Sequence, residues 1–95
     1  MSFSNNQTDL EEKIISLEDL IGTYNIVLYN DDINTFDWVI DCLIDLCNHT
    51  ANQAEQCALL VHYKGKCQVK SGSYNELKPI CEALLDRGLS AKLED

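Results

Sequence analysis

At 95 residues the chain is long enough for one domain and too short for two. Seven Lys and Arg stand against 16 Asp and Glu, giving a formal charge of -9 and an isoelectric point near 4.4. Such a field repels phosphate backbones and anionic headgroups, which argues against nucleic acid as a partner, and no apolar run approaches the ~20 residues needed to cross a bilayer.

No basic segment leading into an apolar stretch opens the chain, so the sequence reads as a soluble cytoplasmic protein. Residues 1–9 carry mostly uncharged polar side chains with little to bury, and residues 10–20 are acidic with scattered aliphatics. Residues 1–22 are therefore expected to form a flexible tail with at most a short helix. The core domain is expected over residues 23–95. Its first strand is Tyr24-Asn25-Ile26-Val27-Leu28-Tyr29, rich in aromatic and β-branched residues and too short for a typical helix. Three polar residues follow it: Asn30, Asp31 and Asp32.

From residue 35 to residue 48, Phe36, Val39, Ile40, Leu43, Leu46 and Cys47 recur at three- and four-residue steps, while Asp37, Asp41 and Asp45 hold the opposite stripe. That pattern predicts an amphipathic helix. Thr50 with Gln53 has the spacing of a capping box, and Ala54, Cys57, Ala58 and Val61 line one face of a second helix that stops near Gly65, with His62 in its last turn. Residues 67–70 alternate like a half-exposed strand, and Ser71-Gly72-Ser73 turns the chain into a third helix carrying Leu77, Ile80, Cys81, Leu84 and Leu85. Ser73 and Glu76 suit a capping box, but Pro79 would then sit in the second turn and forfeit a backbone hydrogen bond, which moves the expected start toward Asn75. Gly88 ends the helix, and residues 90–94 alternate as a last strand. The order is βααβαβ: a single small α/β (α+β) domain with three helices on one face of a three-stranded sheet. The cysteines at 42, 47, 57, 67 and 81 are odd in number, and three lie on apolar helix faces, so they read as reduced core thiols.

By themselves, Asn30, Asp31 and Asp32 have the character of turn and cap residues, and His62 that of a helix-end residue suited to the dipole. A calcium loop counted from Asn30 puts oxygens at Asp32, Asn34 and Asp41, but Thr35 replaces the needed glycine, and the cysteines with His49 and His62 lack zinc spacing. No metal or cofactor is expected. An enzyme using Asp31 and His62 as base and orienter would need a nucleophile beside them, and no Ser or Cys is evidently poised there.

The sequence resembles the ClpS adaptors over about residues 24–94. The resemblance rests on Val27-Leu28-Tyr29-Asn30-Asp31-Asp32, then Asn34-Thr35-Phe36 and Val39-Ile40-Asp41, then Leu60-Val61-His62-Tyr63-Lys64-Gly65-Lys66, with Leu89 and Leu93-Glu94 closing it. It implies a non-enzymatic adaptor of the bacterial N-end rule pathway, which binds the first residue of an N-degron protein and delivers that substrate to a AAA+ Clp unfoldase, ClpA or ClpC-like, for degradation by ClpP. By the same resemblance Asn30, Asp31 and His62 bond the substrate's α-ammonium or first peptide unit, with Asp32 helping through water. Ile33, Asn34, Phe36, Val39, Ala58, Val61 and Leu89 line the pocket for a Leu, Phe, Tyr or Trp side chain. Glu76 or Lys78 would contact the unfoldase's N-terminal domain, and the adaptor would act as a monomer. Phe36 and Ala58 replace methionines of the family pattern, and Asn34 replaces a threonine.

Overall fold

Strand β1 (Tyr24–Tyr29) runs through the centre of an antiparallel sheet of order β2-β1-β3, flanked by β2 (Lys66–Gly72) and β3 (Ser90–Glu94). This arrangement comes from a computed structural model, which describes residues 22–95. The expected tail over residues 1–22 lies, apart from its last residue, outside the described residues. Helices α1 (Phe36–Cys47) and α2 (Ala51–Lys64) separate β1 from β2, and α3 (Tyr74–Asp86) separates β2 from β3. The βααβαβ order and the one-sided helical layer match expectation.

Alternation along β1 decides its faces. Ile26 and Leu28 are sealed under the helices beside Leu43, Leu77 and Leu84, and each such side chain contributes about 1.5–3 kcal/mol by leaving water. Strand β2 is longer than the alternation over residues 67–70 suggests. It reaches Gly72 because a register shift between Ile26 and Val27 lets pairing continue past the irregularity.

Side chains close the helix starts. Thr35 Oγ1 accepts from the Trp38 N–H at 3.1 Å to begin α1, and Thr50 and Gln53 form a reciprocal capping box on α2. At α3 the start expected near Asn75 is corrected: Ser73 caps Tyr74–Asp86, with Ser73 Oγ accepting from the Glu76 N–H at 3.2 Å. Pro79 sits inside this helix and has no N–H to give it, a cost of about 3 kcal/mol, yet the cap and the burial of Leu77, Cys81 and Leu84 outweigh it. After α2, Gly65 takes φ +91, a left-handed conformation that lets its N–H return to the Val61 carbonyl at 3.0 Å.

All five cysteines are free; Cys47 and Cys81 are buried, as their place on apolar helix faces predicts, Cys42 is buried as well, and Cys57, expected on such a face too, is only half-buried, like Cys67. His49, in the turn between α1 and α2, donates its Nε2–H to the Val69 carbonyl at 2.6 Å and ties that turn to β2.

Candidate functional site

Where β1 ends, the loop over residues 30–35 meets the last turns of α2, and the backbone N–H of Asn30 donates to the Gly65 carbonyl at 2.9 Å. Between them opens a cleft of about 580 Å³. Its polar lining is Asn30, Asp31 and Asp32 from the loop with His62 from the end of α2, and its apolar lining is Phe36 and Val39 of α1 with Ala58, Leu59 and Val61 of α2. The cleft is thus apolar with a few converging polar groups, the general character of a ligand site.

Asp31 organises the polar side. Its Oδ1 accepts the N–H groups of Ile33 at 2.9 Å and Asn34 at 2.8 Å, and its Oδ2 accepts from Asn34 Nδ2 at 2.8 Å and Ser90 Oγ at 3.2 Å. A carboxylate offers about four acceptor positions, so this one is fully engaged within the protein. Partial burial pushes its carboxyl upward, but the donors from Asn34, Ile33 and Ser90 together outweigh burial and hold it below the usual carboxylate value. The group stays ionised at neutral pH. The turn reading of Asp31 is therefore correct, and it coexists with a place in the cleft wall.

Asn30, Asp32 and His62 differ from Asp31. Among the described residues their side chains make no hydrogen bond within the chain, so their acceptors face the cleft unspent. The His62 ring meets the edge of Tyr63 with centroids 4.8 Å apart. Asn34 also donates from Nδ2 to the Gly88 carbonyl at 2.9 Å, and Trp38 Nε1 donates to the Arg87 carbonyl at 3.1 Å. Both bonds pin the turn before β3, where Gly88 holds φ +88, and so fix Leu89 at the base of the cleft.

Ile33 does not belong to this wall. The Asp31 turn throws it to the loop tip, where it is 88% exposed, because its N–H rather than its side chain is held by the loop. Leu89 lies 3% exposed in a narrow recess with Leu28, Val39 and Val61. Phe36 stands at the mouth, 39% exposed. Leu59 and Tyr63 line the cleft without having been expected to; Tyr63 follows His62 directly, and that adjacency was the available signal.

Glu76 and Lys78 lie away from the cleft on α3. Glu76 Oε1 accepts from Ser73 in the helix cap, while the Lys78 ammonium sits 5.6 Å from the centre of the Tyr74 ring. Among the described residues no group of three His, Cys, Asp or Glu side chains stands ready to hold a metal, and no helix is long and apolar enough to cross a membrane.

A three-stranded antiparallel sheet with helices on one face and an acid-rimmed apolar cleft at the strand end makes this a small α+β domain with one candidate ligand cleft at that end. Residues 22–92 match the family model for the ATP-dependent Clp protease adaptor protein ClpS, and the chain belongs to that family of Clp protease adaptors. It is 35% identical over 68 residues to the ATP-dependent Clp protease adapter protein ClpS of Thermosynechococcus vestitus, covering 70% of this chain and 72% of that one. To the protein of the same name from Pectobacterium carotovorum it is 41% identical over 59 residues, covering 60% of this chain. The chain spans only 56% of that relative's length. Among solved structures, Agrobacterium tumefaciens ClpS2 bound to L-phenylalaninamide superposes with a TM-score of 0.73 at 18% identity, covering 76% of this chain and 94% of that one. At that identity the likeness concerns the fold.

Proposed function

We propose that the cleft captures the first residue of a protein chain, holding its free α-ammonium on the polar side and a bulky apolar side chain on the other, and that the domain presents this chain to a AAA+ unfoldase of the ClpA or ClpC type. The observation that carries the reading is the coincidence, in one cleft, of unspent acceptors on Asn30, Asp32 and His62 with the apolar wall of Phe36, Val39, Ala58 and Val61. An ammonium brings three N–H donors and needs converging acceptors. Hydrogen bonds to a charged group contribute on the order of 1.5–3 kcal/mol each, and burying a Leu or Phe side chain adds about 1.5–3 kcal/mol. The ionised Asp31 behind the acceptors supplies charge and sets the loop, and Leu89 closes the base. L-Phenylalaninamide, seen with the structurally related ClpS2, offers the same chemistry: a free amine, an apolar side chain and an amide in place of a carboxylate.

Nothing in this arrangement needs a reaction, and adaptor and peptidase tasks stay separate. We assign residues 1–22 to delivery and residues 23–95 to cargo binding, with Lys78 better placed than Glu76 for the unfoldase because Glu76 serves the α3 cap. The domain acts as a monomer in this reading.

Fluorescence anisotropy with peptides that differ only in the first residue tests the assignment. Leu, Phe, Tyr and Trp peptides should bind, Ala peptides should lose at least about tenfold, and N-acetylation should lose about tenfold or more. Equal binding of free and acetylated Leu peptides would overturn it.

A further inference from the structure

Two thiols meet at the back of the α2 wall. Cys67 pairs with Leu28 across the sheet, and cross-strand partners project to the same face, so Cys67 points toward the helices that cover Leu28. Cys57 lies on α2 one turn from Ala54 and Val61, the residues that this helix buries against the same core. Both side chains are half-buried and pack against that same core cluster, and the Cys67 thiol lies near enough to raise the Cys57 thiol. The other three cysteines are sealed in the core, and burial pushes the Cys47 thiol up to about 11. A groove of about 510 Å³, lined by Val27, Leu60, Lys66, Cys67 and Gln68, opens onto Cys67 from outside.

We infer that Cys57 and Cys67 are a reversible oxidation site, closed to a disulfide by a peroxide, which staples α2 to β2 behind the cleft. Cys67 reacts first because it alone of the pair lines the groove. Its thiolate sulfur bonds one peroxide oxygen, the O–O bond breaks, and the departing hydroxide takes a proton, leaving a sulfenic acid and water. The Cys57 sulfur then bonds the Cys67 sulfur as the S–O bond breaks, and the oxygen leaves as a second water with the Cys57 proton. Two thiols are oxidised by two electrons, and one peroxide is reduced to two waters. Burial first, and then Cys67, push the Cys57 thiol up to about 12, so it serves as the resolving partner and its step quickens as pH rises. An uncharged peroxide suits a chain of charge -9 better than an anionic disulfide oxidant does. Cys57 immediately precedes Ala58, so the crosslink fixes the helix that carries half of the cleft lining. The chemistry itself does not depend on what the cleft binds.

The reduced full-length protein, treated with hydrogen peroxide at mildly alkaline pH, denatured and alkylated, provides the test. Alkylated cysteines should fall from five to three per chain, and dithiothreitol should restore all five. Digestion with trypsin and a glutamate-specific protease should release residues 56–64 linked to residues 67–70. In Cys57→Ala, Cys67 should instead accumulate a dimedone adduct. Five alkylated thiols after oxidation, a link between any other pair, or overoxidised Cys67 without a link would each overturn the proposal, and the peptide map of the unaltered chain decides the matter even if the variant fails to fold.

Discussion

The two sides of the cleft are built by different means. The polar side, apart from His62 at the end of α2, is a loop whose shape depends on one carboxylate: four hydrogen bonds converge on Asp31, and the neighbouring acceptors are left unpartnered. The apolar side is helix, set by the same packing that buries Leu43, Ala54 and Val61. A loop of this kind fails locally when its hub is removed, whereas a helical wall fails only when the core does. Function and stability should therefore separate cleanly between the two sides.

Removing the hub is the severest way to break that contrast. Asp31→Ala strands the donors from Ile33, Asn34 and Ser90, while Thr35 continues to cap α1 independently. Peptide affinity should drop on the order of 100-fold, with a stability loss of only about 1–3 kcal/mol in urea titration. Asp31→Asn keeps an acceptor for the two loop N–H groups and should fall between. Global unfolding in Asp31→Ala would show that loop and core are not separable.

Removing a single acceptor sharpens the contrast on the polar side. His62→Ala deletes one unspent acceptor at the end of α2 and should weaken binding of a Leu-initiated peptide about tenfold in anisotropy, with circular dichroism unchanged. Undiminished binding by the variant would remove His62 from the ammonium's acceptors.

Alkali acts on the other side and should produce the smallest effect. Burial raises Cys47 to about 11 and Cys57 to about 12, from an ordinary value of 9.0. A group with a raised folded pKa binds its proton more tightly when folded, so this stability is intact below pH 9 and is lost as pH rises through 11 and 12. Thermal melts should fall by a few degrees from about pH 9 to about pH 11. Cys47→Ala should flatten the slope.

The helical wall was also the side that could be read from the sequence. Apolar periodicity placed Val39, Ala58 and Val61 on inward faces, the strand over residues 24–29 follows from its aromatic and β-branched content, and that over residues 90–94 from alternation. The loop was harder. Nothing in the order Asn30-Asp31-Asp32-Ile33 says which carboxylate turns back on the main chain, so Ile33 was expected in the wall although the turn directs it to solvent. Ser90, 59 positions away, completes the Asp31 cluster, and no local pattern announces a bond across that span. Pro79 misled for the opposite reason: a strong local rule yielded to the Ser73 cap and buried Leu77.

The bond from the Asn30 N–H to the Gly65 carbonyl joins the loop to the end of α2 through main chain on both partners. The gauge of the socket is thereby set by the frame rather than by its upholstery. Side chains such as Phe36 and Ala58 can then be exchanged among descendants to retune what fits, without any need to re-cut the aperture itself.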